Sequence, residues 1–571
     1  METVSHKVEF CVIGGGLAGM CAAISAARKG VKTLLMHERP VLGGNASSEI
    51  RMWICGTNHL VETGIIEELR LENLCRNTNF NYSVWDTILF EKVRFQENLT
   101  SLLNCSCFDA ETRDGRIISV TGWQMTTQKF HRVEADFFAD CSGDSILAPL
   151  SGADFRIGRE AKDEFNESLG QDKSDNKTMG LSCLMQARET TSPKKFTPPA
   201  WAKHFTDDSV LAHRNHTINE YQNFWWIELG GDQDSIGDTE EIRDELLKTA
   251  YGIWDHIKNR GDHGAENWEL DWIGFLPGKR ESRRYIGDYI LCENDVLTGG
   301  KFHDTIAFGG WPVDDHHPGG IKHYGSPNIV IHPEQPYGIP LRSLYSRNIS
   351  NLWFAGRNIS ATHTALSSSR VMATCATLGQ AVGCAVTAAV KHQVKTARET
   401  AEKYTGEIQT YLLDEDCYLP GFTREVSQIC REAKLSASSG DPEMLRNGKD
   451  HNLNGSDNYW HCRPGDTAQY DFGREIELKN VRLVFDSNLH RVSRNTVTNY
   501  WLNGKKFEVP ETIADSFEII ADGKVIYKTT NNCQRLVNIP INIKTSTITL
   551  KVISFAGKKD SGQVCAFDVQ Q

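Results

Sequence analysis

The strongest constraint on what this chain can fold into lies between residues 8 and 38. Val8 to Ile13 is an unbroken apolar run, Gly14, Gly16 and Gly19 follow as GxGxxG, and Leu17 to Arg28 carries helical spacing among small residues. A second run, Lys32 to Met36, is followed by Glu38, nineteen residues beyond Gly19, and by Arg39. Strand, glycine turn, helix, second strand and terminal acid make a βαβ unit in which each part has a duty. Gly14 permits the tight turn, Gly16 lets a pyrophosphate approach the backbone, and Gly19 lets the helix pack closely on the strand. The first helical turn, at Leu17 and Ala18, offers unpaired N–H groups to the anion, and Glu38 would bond ribose hydroxyls. An ordinary strand-to-helix connection would explain the glycines alone but not all the parts in register. The chain reads as a dinucleotide binder.

The 571 residues, 39% hydrophobic and 24% charged, exceed what one core can organise, so two to four domains are expected. A formal charge of -12 and the lack of any Lys/Arg-rich run argue against nucleic acid or an anionic membrane as partner. The sixteen cysteines form no CxxC and no Cys/His zinc spacing, and several (Cys11, Cys21, Cys375, Cys384) sit in apolar runs, which suits a reducing cytoplasm. FCVIGGGLAGMCAAISA is better explained as a strand turning into a helix than as a signal-peptide core, and no run has the uninterrupted apolar length of a membrane span.

Further along, SLLNCSCFDA, RIISVTGW and VEADFFADCSGD are short β-rich runs, the first two separated by an Asp114-Gly115 turn. They predict an antiparallel insert returning to a parallel sheet. Residues 154 to 340 are polar, rich in Trp (201, 225, 226, 254, 268, 272, 311) and broken by proline dipeptides, and read as a substrate-facing region. NLWFAGRNIS is another strand, followed from about Arg370 by a small-residue helix; from about Ser436 the pattern changes to short alternating strands of a separate β-sandwich.

Four blocks, ERPVLGGNASSEIRMW, ADCSGDSILAPLSGA, PGKRESRRYIGDY and IPLRSLYSRNISNLWFAGRNISATHTALSSSRVMATCATLGQAVG, resemble the bacterial FAD dependent oxidoreductase family of the two-dinucleotide-domain type. The resemblance implies FAD as cofactor. It places Gly43, Gly44 and Asn45 beside the flavin, Ser142, Gly143 and Asp144 near the nucleotide, and Gly356 and Arg357 toward the ribityl-phosphate region. The helix after Arg370, with Ala373, Ala376, Gly379, Gln380, Ala381 and Gly383, is expected to lie against the isoalloxazine, its positive end facing the charge that gathers on reduction. No second complete GxGxxG appears, so a dedicated NAD(P)H domain is not expected.

The flavin carries the electron chemistry, leaving the protein to bind substrate and manage one proton. FHDTIAFGGWPVDDHHPGG concentrates His303, Asp304, Asp314, Asp315, His316 and His317, and His363 follows AGRNIS closely. Histidine suits the base, and a neighbouring Asp would orient it, so His316, His317 and His363 are the catalytic candidates. Arg283, in GKRESRR, is a candidate for holding a carboxylate or donating a proton through water, with structural ion pairing the alternative. No metal is expected in this segment: Asp314 to His317 are consecutive, so they cannot all point one way along an extended chain. Arg51 and Trp53 follow the Gly43-Gly44 segment closely enough to line a flavin face. The tryptophans fit a sugar-stacking cleft or simply a bulky core.

The segment from LRNGKDHNLNGSDNYW to RLVFDSNLHR resembles galactose-binding-like, discoidin-type sandwiches, with no clear calcium or sugar ligand set. The expected architecture is α/β: a Rossmann-like FAD-binding domain from residues 1–155 and 340–395, an inserted α+β substrate domain at 156–339, a helical linker at 396–437, and a C-terminal all-β sandwich at 438–571. The expected reaction is oxidation of a hydroxyl-bearing small molecule, such as a carbohydrate derivative, by hydride transfer to flavin N5. Its rivals are reduction of an activated C=C bond and a glycan-binding flavoprotein whose flavin is structural.

Overall fold

The computed structural model describes residues 2–58, 60–219, 222–260, 263–452, 456–487, 489 and 508–571. The Asn454-Gly455 turn expected before Trp460 lies outside the described residues. Two compact units are present, one from the described residues of 1–59 and 82–408, the other from those of 60–81 and 409–571.

The first unit is organised by a seven-stranded sheet. β1 (Thr3–Ile13) leads through α1 (Leu17–Arg28) to β2 (Thr33–Met36); β3 (Leu99–Leu102), β4 (Cys105–Arg113), β5 (Arg116–Gln124) and β6 (Lys129–Asp140) follow. The order is β3-β2-β1-β6-β5-β4, with the strand Leu352–Phe354 also on β6. β1, β2, β3, β6 and Leu352–Phe354 are mutually parallel, whereas β4, β5 and β6 form the antiparallel excursion expected from the sequence. β6 serves both parts: Lys129 to Glu134 pair with β5, and Phe138 to Asp140 pair with Leu352–Phe354. Phe10 to Ile13 are all buried, as a parallel strand covered on both faces requires.

The turn after β1 is fixed by Gly14, at φ 103°; a Cβ there would meet the Cys141 carbonyl oxygen at 2.4 Å. The small-residue helix Met372–Lys391 packs on α1, and a Cβ at Gly379 would lie 1.9 Å from the Ala18 carbonyl oxygen. Gly379 thus lets two helix backbones approach each other. The helix is long and apolar enough to cross a membrane but is buried along nearly all its length.

Residues 156–339 do not separate as a unit of their own. They carry a second core in which Phe224, Trp226, Trp254 and Trp268 pack with Leu181, Leu246 and Ile253, so three of the seven tryptophans fill the interior.

In the second unit every strand pairing among the described residues is antiparallel. Two long strands, Thr467–Phe485 and Leu536–Phe555, are bent at register shifts and wrap a core of Trp460, Tyr470, Leu483, Phe485, Phe517, Ile548 and Phe567, the all-β sandwich expected. Residues 60–81, expected in the nucleotide domain, belong here instead. Leu71 and Leu74 of the helix Ile65–Arg76 pack against Leu489 and Ile513, and Glu67 bonds Ser487 at 2.5 Å.

Candidate active site

The C-terminal ends of the parallel strands open onto a cleft of about 330 Å³, within the ~300–1,000 Å³ usual for small-molecule sites. Crevices at strand C-termini are where α/β sheets bind ligands, because helix N-termini and loops converge there.

One end of the cleft is the glycine turn. Gly14 to Ala18, Glu38, Arg39, Gly43, Gly44, Asn45, Ser142, Gly143, Gly356 and Arg357 all line it. Gly16 is the N-cap of α1 without a side-chain cap, and a Cβ there would meet nothing nearer than the Gly44 Cα at 3.9 Å, so the first turn faces open space. Glu38 lies 3.1 Å from His37 Nδ1 and 3.4 Å from Arg39 Nε. Burial would push its carboxyl up, but His37 and then Arg39 outweigh that and hold it at about 2, ionised for accepting hydroxyl donors.

Four of the expected cofactor residues, Gly19, Asp144, Gly379 and Gln380, do not line the cleft. Gly19 lies against the Gly14 carbonyl, which is the close packing foreseen for it, and Gly379 and Gln380 are further along the buried helix. Asp144 accepts from Lys279 at 2.7 Å and from Arg357 and Ser282 at 2.8 Å. Burial alone would raise its carboxyl, but Arg357 and Lys279 draw it down, so it anchors two cations that do line the cleft.

The other end is built by residues 182–330 and by Arg370 to Cys375. Here the strand Val313–His316, paired with Asn328–Ile331, decides which of the clustered acids and histidines matter. Alternation along the strand sends Asp314 and His316 into the cleft and Asp315 to the opposite side. His316 is buried, its Nδ1 2.7 Å from Glu228 Oε2 and its Nε2 3.3 Å from Asp314 Oδ2. Burial opposes ionisation of both acids, yet Arg280 and His316 pull Glu228 below the usual range, and His316 and Arg370 pull Asp314 far below it.

The remaining catalytic candidates lie elsewhere. His317 is exposed and stacks on His323 with ring centroids 3.6 Å apart. Arg283 lies over the Phe155 ring at 5.6 Å and donates to the Asp144 carbonyl at 3.3 Å, the structural role. His363, the first residue of the helix His363–Ser369, is buried between Glu281 and Asp315, 2.9 Å from each. Burial would lower it, but the two carboxylates raise it to about 10, so it is an imidazolium that cannot act as base near neutrality. None of the three lines the cleft. Trp53, Trp225 and Trp311 do; Arg51 instead donates to Gln186 at 2.6 Å and lies over the Trp272 and Tyr82 rings. Glu228, in the middle of FWWIELGG, and Arg370 went unread as site residues, and neither has a local signal that marks it.

A Rossmann-like sheet with a glycine turn, an ionised acid after the second strand and a cleft ending at a carboxylate-bound histidine defines a dinucleotide-dependent enzyme of the α/β class. The FAD dependent oxidoreductase family matches residues 9–410, and the chain belongs to it; its cofactor is FAD. No curated protein matches the chain. Among solved structures it is similar to a geranylgeranyl bacteriochlorophyll reductase-like protein from Thermoplasma acidophilum, at 10% identity over 72% of this chain and 86% of that one, TM-score 0.34. It is also similar to the galactose-bound family 32 carbohydrate-binding module of C. perfringens NanJ, at 15% identity over 25% and 97%, TM-score 0.18. Likenesses at these scores bear on neither mechanism nor ligand.

The residues present fit FAD. The uncapped first turn of α1 suits the pyrophosphate, and Glu38 is an ionised acceptor for ribose hydroxyls. Among the described residues Arg357 Nε and Arg370 Nε are buried with no hydrogen-bond partner, on side chains that line the cleft, as donors meant for a bound group would be.

Proposed function

We propose that the protein oxidises a hydroxyl-bearing small molecule, such as a carbohydrate derivative, with His316 as the base. The observation that carries this reading is the His316–Glu228 pair in the cleft wall. A carboxylate only accepts, so Nδ1 of His316 donates to Glu228, which leaves Nε2, beside Asp314 Oδ2 in the cleft wall, as the nitrogen that can take a proton. Bound flavin supplies the two-electron acceptor. The hydroxyl proton that must leave as the carbinol carbon is oxidised passes to Nε2, and Glu228 orients the ring and stabilises the cation that forms. Nε2–H then has Asp314 as its acceptor. The Trp225 ring stands edge-on to the imidazole at 5.1 Å and limits its swing, and with Trp311 it offers flat apolar surface to a sugar C–H face.

Residues 156–339 are read as the substrate-facing part, because they contribute Trp225, Arg280, Trp311 and His316 to the wall. A second reading, reduction of an activated C=C bond, is favoured by the 3.3 Å approach of Asp314 to Nε2, which also suits a protonated ring delivering a proton. Anaerobic titration of the yellow protein against sugars, polyols and sugar acids, followed at about 450 nm, separates the two. Bleaching by one class supports the oxidation. No bleaching, with reoxidation of the reduced protein by unsaturated acceptors, supports the reduction and sinks the first reading.

A further inference from the structure

Away from the cleft, four side chains from three stretches of chain converge on one point. Asp208 opens the 3-10 turn Asp208–Leu211, His216 follows eight residues on, and His256 and His263 both come after the end of the long helix Thr239–Asp255. There the helix widens into a π-helical turn, His256–Arg260, with His256 as its first residue. Such turns are rare and frequent at functional sites, since they re-aim a side chain at the cost of regular hydrogen bonding.

The spacing is that of a coordination shell. Asp208 Oδ1 lies 3.0 Å from His256 Nε2 and 3.5 Å from both His216 Nε2 and His263 Nε2. His256 Nε2 and His263 Nε2 are 3.2 Å apart, and one ligand atom from each of the four residues falls within 4.8 Å of all the others. Ligands about 2.0–2.1 Å from a tetrahedral ion stand roughly 3.3–3.4 Å from one another.

The tautomers point the same way. His256 Nδ1 is 3.1 Å from the Phe205 carbonyl oxygen and His216 Nδ1 is 2.9 Å from that of Arg214. A carbonyl can only accept, so both Nδ1 atoms carry a proton, which leaves Nε2 of each ring, aimed at the centre, as the atom free to ligate. Carbonyl acceptors behind the ring are how metal-bound histidines are oriented. A purely hydrogen-bonded cluster would set bare Nε2 atoms against one another and ask one carboxylate oxygen to answer three rings, whereas a cation satisfies all four groups together.

We propose that Asp208, His216, His256 and His263 bind one divalent first-row transition-metal ion of the Zn²⁺ type, in a closed four-ligand site. Three imidazoles select such an ion over Mg²⁺ or Ca²⁺, which take oxygen ligands. His256 is buried and Asp208 is exposed, so the ion enters from the solvent side. The role is to fasten the 208–216 segment to the helix end. Arg214, two residues before His216, donates to the carbonyls of Gly320, His323 and Gly325, so this fastening reaches the loop that follows His316.

The test uses the full-length, tag-free flavoprotein, stripped with a chelator and titrated with ZnCl₂ against a chromophoric competitor, with MgCl₂ as control. One equivalent of Zn²⁺ per chain is expected, indifferent to Mg²⁺. Asp208→Asn and His216→Gln, each checked for retained flavin, should weaken binding at least ~100-fold, the upper end of what losing a mere supporting partner does. Co²⁺ should give the visible bands of a tetrahedral ion. Substoichiometric Zn²⁺, or an affinity unchanged in the variants, overturns the site; should His216→Gln fail to fold, Asp208→Asn at the exposed carboxylate decides alone.

Discussion

His316 and His363 are the same side chain in the same kind of clamp, an imidazole between two carboxylates, and they differ in what lies on the open side. His363 has carboxylates at 2.9 Å on both nitrogens and no access to the cleft, so its proton is locked in. His316 has one close carboxylate, at 2.7 Å, and a looser one at 3.3 Å, and it faces the cleft. A symmetric clamp makes an ion-pair rivet; an asymmetric one beside open space leaves the ring within reach of a bound molecule. Motif proximity favoured His363, which follows AGRNIS, but access and asymmetry favour His316.

Four measurements would break or sharpen that contrast. His316→Ala should retain flavin yet lower the rate of flavin reduction by substrate by about 10²–10⁴-fold, the usual worth of a positioned base; an undiminished rate would remove it from the chemistry. His363→Gln should do the reverse. It leaves Glu281 and Asp315 without their shared cation, so unfolding should show a loss of about 3–5 kcal/mol, with the reduction rate of the folded fraction unchanged. Glu228→Gln keeps the shape but removes the negative charge behind His316, and stopped-flow reduction should slow by about 10–100-fold, about 1.4–2.7 kcal/mol.

The most gradual effect is on pH. The folded value of His363, about 10, lies above the ~6.5 of an unfolded histidine. Its contribution is therefore fully present below pH ~6.5 and is lost as pH rises toward 10. Relative to His363→Gln, the wild type should lose about 1.4 kcal/mol of its advantage per pH unit in that window. A flat difference would mean the clamp does not hold a proton.

The glycine-turn end of the cleft was legible in the sequence, and the His316 end was not. Gly14, Gly16, Glu38, Gly43, Gly44, Ser142, Gly143, Gly356 and Arg357 reach the cleft because they sit in turns directly after strands, where local chain geometry decides position. His316 and His317 are neighbours, yet one faces the cleft and the other is exposed, because pairing with Asn328–Ile331 sets which way each residue of the strand points. Its partner Glu228 comes from a distant stretch with no signature. The small residues of Met372–Lys391 were visible, but whether they meet a flavin or another helix depends on what is packed against them. The same holds for Ile65–Arg76, whose apolar face is taken up by the sandwich unit.

The sequence by itself determined the nucleotide turn, the parallel sheet with its antiparallel excursion and the change to a β-sandwich near the C-terminus, since each is written in residues adjacent along the chain. Only the tertiary structure decided which histidine meets the cleft, which acids flank it, which core takes residues 60–81, and that Asp208, His216, His256 and His263 meet at all. Those outcomes depend on side-chain direction and on contacts between segments far apart in sequence, and no local period or spacing encodes either.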